Sequence, residues 1–128
     1  MANCLKKLSK VSIFTLLALI LSITLVGAVS RSDNIVIASG YGTAKETVKI
    51  TVTLATINKP KYEYTNKTGT SGISYRFSGI TNTETKDIKG DVANYKVTAK
   101  ATWIDSNYAQ HYQTNSVSYK YTGTLTKL

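Results

Sequence analysis

The sequence predicts an all-β fold: an Ig-like antiparallel β-sandwich of about seven strands, with a small β-barrel as the other architecture that satisfies the same pattern. Three observations predict it. Apolar and polar residues alternate with period two over several stretches between Thr47 and Thr126. Thr, Val, Ile and Tyr, the residues that fit a pleated half-buried surface, dominate those stretches. Gly, Asn, Pro and Asp punctuate the intervals between them.

In chain order, the first element is not part of that domain. Lys6, Lys7 and Lys10 form a basic start, Val11 to Val29 carries no charge, and the small residues Gly27, Ala28 and Ser30 close the run. Basic start, apolar middle and small-residue end are the marks of a secretory signal peptide. Residues 1–30 are read as that signal, and residues 31–128 as one β-sandwich domain. Two cuts fit, after Ala28 and after Ser30, and the second is the expectation. An uncleaved anchor is the competing reading, because a run over residues 11–29 approaches the roughly 20 residues that span a bilayer. The domain is outside the cytoplasm in either case, secreted or tethered on the outer face, since the lysines stay inside. Cys4 precedes the apolar run, whereas a lipoprotein cysteine follows it.

The shortest strand candidates are Ile35–Ala38, Lys61–Thr65 and Thr85–Lys89. The longer ones are Thr47–Leu54, Gly72–Ser78, Val92–Ile104 and Ser116–Thr126. Their inward sets are Val48, Ile50, Val52 and Leu54; Ile73, Tyr75 and Phe77; Tyr95, Val97, Ala99, Ala101 and Trp103; and Val117, Tyr119, Tyr121, Gly123 and Leu125. Turns are expected at Ser39-Gly40, Asn58-Lys59-Pro60, Asn66–Gly72, Ser78-Gly79 and Lys89-Gly90-Asp91. Pairing the last two long strands as a hairpin with Trp103 opposite Val117 and Ala99 opposite Tyr121 sets large against small. That register also sets Lys100 opposite Lys120, a like-charge pair, so either the register is off by two or these lysines surround an anion.

The only cysteine is Cys4, so residues 31–128 hold by packing and ladder hydrogen bonds without disulfides. This points to a bacterial surface or medium. Of 16 basic residues three lie in the signal, which leaves 13 against seven acids and a net charge of +6. A basic protein outside a cell meets anionic polymers and lipid heads, and export argues against nucleic acid as a partner. A membrane partner is expected only through residues 11–29 if they are retained.

No catalytic, metal or cofactor signature stands out. His111, the only histidine, falls in the polar stretch Asp105–Asn115, with Asp105 and Ser106 near in sequence but no nucleophile elbow around any serine. Glu84, Asp87 and Asp91 lie around Lys86 and Lys89 and match no calcium loop; as a glycosidase pair they lack a deep cleft. Asn66-Lys67-Thr68 is a glycosylation sequon, relevant only in a eukaryotic host. The more informative feature is aromatic: Trp103, Tyr108 and Tyr112 bracket Asp105, Asn107, Gln110, Gln113 and Asn115, a mixture that suits sugar or peptide binding. Trp103 has the parity of a core residue, and Tyr108 and Tyr112, four apart, would otherwise fold down to cap the sandwich.

The functional expectation is therefore a non-enzymatic binding module at the cell envelope. Its partners would be an anionic wall polymer, a glycan or a surface protein, and its candidate ligand residues are Tyr108, His111, Tyr112, Lys100 and Lys120. The alternative is a small secreted basic antibacterial or membrane-active effector.

Overall fold

The structure is a computed structural model and describes residues 27–128. The basic start and most of the apolar run lie outside the described residues. Seven strands follow: β1 (Val29–Ser39), β2 (Gly42–Val52), β3 (Lys61–Gly69), β4 (Tyr75–Lys89), β5 (Val92–Asp105), β6 (Gln110–Tyr121) and β7 (Leu125–Lys127). They form two antiparallel sheets, β1-β2-β3 and β4-β5-β6-β7, packed face to face as a sandwich without closing into a barrel. Each strand pairs with its sequence neighbour, so both sheets are meanders. The Ig-like expectation holds for strand number and layering; the Greek-key crossovers of immunoglobulin domains are replaced by hairpins.

The core is built by the alternation. Val48, Ile50 and Val52 of β2 and Tyr95, Val97, Ala99, Ala101 and Trp103 of β5 are all buried against Ile35, Ile37, Val117, Tyr119 and Tyr121. Fully burying one such aliphatic side chain contributes about 1.5–3 kcal/mol. Ile57, on the β2–β3 link, plugs one end, and its carbonyl accepts the Tyr95 hydroxyl. At the same end, β4 and β5 meet through Gly90-Asp91, where Gly90 has φ 64°. Glycine as the first central residue suits a type II′ hairpin turn, whose twist matches the strands it joins.

Several sequence-based boundaries are corrected. The candidates Gly72–Ser78, from Tyr75 on, and Thr85–Lys89 belong to one strand, β4, and the turn expected at Ser78-Gly79 is a bulge within it. Ile73 precedes that strand and is 94% exposed, and Leu54 lies beyond β2 and is 60% exposed. The Asn66–Gly72 turn is largely strand, because β3 continues to Gly69 with an irregular register against β2. Ser116–Thr126 is not one strand; the chain reverses at Thr122-Gly123-Thr124, where Gly123 has φ 89°.

The β5–β6 register is also corrected. Val97 faces Val117, Tyr95 faces Tyr119 and Ala93 faces Tyr121, a slip of six residues from the expectation. An even slip leaves every side chain on its original face, so the period-two pattern is blind to it. Lys100 now faces Thr114 and Lys120 faces Asn94, and the like-charge pair vanishes.

Where the two sheets meet edge to edge, side chains replace the ladder. At the β1 seam, Asp33 accepts hydrogen bonds from Tyr119 Oη and Arg31 Nε at 2.9 and 3.0 Å, and Asn115 Nδ2 donates to the Val36 carbonyl at 2.8 Å. At the β3–β4 seam, Tyr64 donates to Glu84, Lys67 Nζ donates to the Ile80 carbonyl at 3.3 Å, and Lys86 donates to the Asn58 carbonyl. Just inside that seam, fully buried Glu46 of β2 accepts a hydrogen bond from Asn82 of β4. Polar side chains on edge strands of this kind also discourage pairing with a second molecule.

Candidate functional site

The β1–β2 turn, the β3–β4 link and the β5–β6 loop converge at one end of the sandwich. The base of this end is aromatic. Trp103, fully buried on β5, packs against Phe77 and Tyr41, with ring centroids 5.8 and 6.0 Å apart. Its Nε1 donates to the Thr70 carbonyl at 2.9 Å, tying down the link Thr70–Ser74. Backbone bonds from Thr70 to Thr43 and from Gly72 to Tyr41, both 2.7 Å, fasten the same link to the β1–β2 hairpin. Gly42 makes this approach possible: a Cβ there would collide with the Thr70 carbonyl and lie 2.7 Å from Trp103 Nε1.

His111 stands on this base. Its ring is 4.8 Å from Tyr41 and meets Tyr75 edge-on at 5.3 Å. Its Nε2 lies 2.9 Å from Asp105 Oδ2. A carboxylate only accepts, so Nε2 carries the proton of that bond. Asp105 Oδ1 accepts the backbone N–H groups of Asn107 and Ala109 at 2.8 and 3.0 Å. One carboxylate thus clamps the whole β5–β6 loop. The histidine bond, then the Ala109 amide, holds the Asp105 carboxyl below its ordinary range. The pair fastens the loop, and among the described residues no hydroxyl hydrogen-bonds to His111.

Asp105→Ala is accordingly expected to free the Asn107 and Ala109 amides to exchange with solvent while the core amides of β5 stay protected. In the wild type, a carboxyl with a depressed pKa contributes stability above the ordinary carboxylate range and loses it as pH falls through its own lower value. The same two amides should therefore lose protection in acid. Hydrogen exchange at several pH values checks both, and protection that survives Asp105→Ala would refute the clamp.

Above the base lies an open cleft of about 350 Å³ between Ser74, Tyr75 and Arg76 on one side and Ile104, Asp105, Ser106 and Tyr108 on the other. Tyr108 is 83% exposed at the loop tip with φ 64°, a left-handed conformation uncommon for an aromatic residue. Exposed Ile73 sits on the facing link, next to Ser74, whose φ is 68°. The cleft lining thus combines two tyrosine rings, a guanidinium, a carboxylate and two serine hydroxyls.

The structure separates the candidate residues into three places. Tyr108 and His111 share this end, joined through Asp105. Tyr112 is on strand β6 and not in a loop; its ring lies on the outer face under Lys100, whose Nζ is 4.0 Å from the ring centroid. Lys120 is at the far end of β6, beside Asn94 and Thr126. Neither tyrosine caps the sandwich, whereas Trp103 is core. Glu84 turns to the seam and Tyr64, while Asp87 stands opposite Asn94, so these carboxylates do not converge. Among the described residues no group of three or more His, Cys, Asp or Glu side chains gathers as a metal site would. Arg76 and Tyr41, which the sequence did not single out, and Ile73 and Tyr75, which it named only as inward strand residues, complete the site. Comparison of the chain with protein-family models, with curated proteins and with solved structures finds no match.

Proposed function

We propose that this chain is an exported, non-enzymatic binding module of the cell envelope that holds a glycan-containing wall polymer at the loop end of the sandwich. The observation that carries this reading is the cleft itself. Exposed Tyr108 lines it with Arg76, Ser74 and Ser106, exposed Ile73 adjoins it on the link, and its Tyr75 and Asp105 walls are held from behind by the packing of Tyr75 on Tyr41 and by the His111–Asp105 bond. A sugar ring stacks on an exposed aromatic face, and neighbouring hydroxyl and guanidinium groups fix its orientation. Because the Tyr75 and Asp105 walls are already held, little ordering of them remains to oppose binding.

Export fits the N-terminal structure if the signal is cut after Ala28. Val29 and Ser30 belong to β1, where they pair with Val52 and Thr51, and the Ser30 hydroxyl lies 2.9 Å from that of Thr51. A cut after Ser30 would remove both residues from the ladder.

The test is a pull-down of the mature domain on purified cell walls. Tyr108 makes little packing contact, so Tyr108→Ala should leave stability within about 0.5 kcal/mol. Its retention on walls should nevertheless fall at least several-fold. Undiminished retention by a folded variant would remove the cleft from the binding surface.

A further inference from the structure

We infer that the outer face of the four-stranded sheet is a track for a linear polyanion. The inference deepens the wall-polymer reading above by assigning the chemistry of the polymer. Along β5, Lys100 and Lys96 project outwards, four residues and so about 14 Å apart. Arg76 of β4 lies in the row of Ile104 at one end, and Lys120 of β6 lies in the row of Asn94 at the other. Ten residues separate those rows, so the cations extend over about 34 Å of sheet.

Their neighbours are hydroxyls. Lys100 lies between Thr81 and Thr114, and Lys96 between Thr85 and Ser118. None of the four cations has an ion-pair partner among the described residues. The outer face of the three-stranded sheet differs: Lys49 stands opposite Glu63, and Lys61 bridges to Glu63 at 3.1 Å. The four cations of the track share their face with one carboxylate, Asp87 opposite Asn94, whereas Lys45, Lys49 and Lys61 share theirs with Glu63; the track face is thus the more positive of the two, and it ends at the Arg76 side of the cleft.

The occupant is a polymer and not a lipid surface. Of the exposed large apolar side chains, Tyr112 lies under Lys100 and Leu128 lies beside Lys96 and Ser118, while Val36, Leu54, Ile73 and Tyr108 stand away from the lysines; two separate side chains do not make the continuous apolar face that enters a bilayer. Spaced cations among hydroxyls suit anionic oxygens carried at intervals on a chain, whose successive contacts act multivalently.

The experiment measures binding of the mature domain to long-chain inorganic polyphosphate, to tripolyphosphate and to anionic phosphatidylglycerol vesicles. The long chain should bind at least tenfold more tightly than tripolyphosphate. Replacing Lys96, Lys100 and Lys120 together by Gln should weaken it by tenfold or more and reduce the salt slope by about one per lysine. Replacing Lys45, Lys49 and Lys61 by Gln removes the same charge and should weaken binding less than threefold. Arg at the three track positions should retain it, with melting curves confirming that each variant is folded. Equal losses from the two triple variants, equal binding of long and short chains, or stronger binding to vesicles than to polymer would overturn the track. Tyr108→Ala in the wall pull-down reports on the cleft separately, so either reading can fail while the other stands.

Discussion

Trp103→Ala is expected to destabilise the domain by about 3–5 kcal/mol, the usual cost of removing a large buried aromatic side chain. Trp103 is fully buried and holds Phe77 and Tyr41, while its indole N–H holds the Thr70 carbonyl. A domain of this size has a total stability of only about 5–15 kcal/mol, so the loss should be plain in the denaturant midpoint. Trp103→Phe separates the two roles. It keeps most of the packing and removes the N–H, so the damage should concentrate on the Thr70–Ser74 link. The amide of Gly72, bonded to Tyr41, would then exchange faster while the β5 core amides change little. If Trp103→Ala unfolded with an unchanged midpoint, the indole would not be the keystone of this end.

Glu46→Gln is expected to stabilise the domain at neutral pH by about 1–3 kcal/mol, the cost of leaving a buried polar group without its partner. Glu46 Oε1 accepts from Asn82 Nδ2, yet Glu46 Oε2 and Asn82 Oδ1 are both buried acceptors without a donor. Burial pushes the Glu46 carboxyl up; the Asn82 bond and the Lys67 ammonium of β3 pull it partly back. Of the other ionisable groups along this seam, Glu84 and Tyr64 are bonded to each other and Lys86 to the Asn58 carbonyl. A carboxyl whose pKa is raised by folding contributes most stability below the ordinary carboxylate range and loses that contribution as pH rises through its folded value. Gln supplies the missing donor at every pH. The variant should therefore lack the Glu46 part of the decline towards neutral pH, which denaturation at a series of pH values would read. A less stable variant with the wild-type slope would mean that the carboxylate is satisfied in its charged form.

The sandwich was legible wherever inward positions are apolar, as along Val48 to Val52 and Tyr95 to Trp103. It was illegible where they are not. The inward side of β1 carries Arg31 and Asp33 before Ile35, that of β2 carries Glu46, and the first half of β6 carries His111, Gln113 and Asn115. These residues face seams and ends, where polar side chains replace strand pairing, and there the alternation in hydropathy disappears. The β5–β6 register was lost for the same reason: with residues 110–115 read as loop, the strand began six residues late, and period two cannot detect an even slip. Of the candidate site, Tyr108 and His111 were visible as an aromatic and a histidine in a polar stretch. Arg76 and Ile73 were not, because the β3–β4 link that carries Ile73 and leads into Arg76 at the start of β4 is fastened by the buried indole and by backbone bonds, which leave no local pattern.

The most direct test of the binding-module reading is a chemical-shift titration of the isotopically labelled mature domain with soluble fragments of cell-wall polymer. The expected result is a contiguous set of perturbed amides at residues 73–76 and 104–109, continuing onto the outer face through Lys100 and Lys96, with β1 and β2 unchanged. Perturbations confined to β1 and β2, or none at saturating fragment, would contradict it.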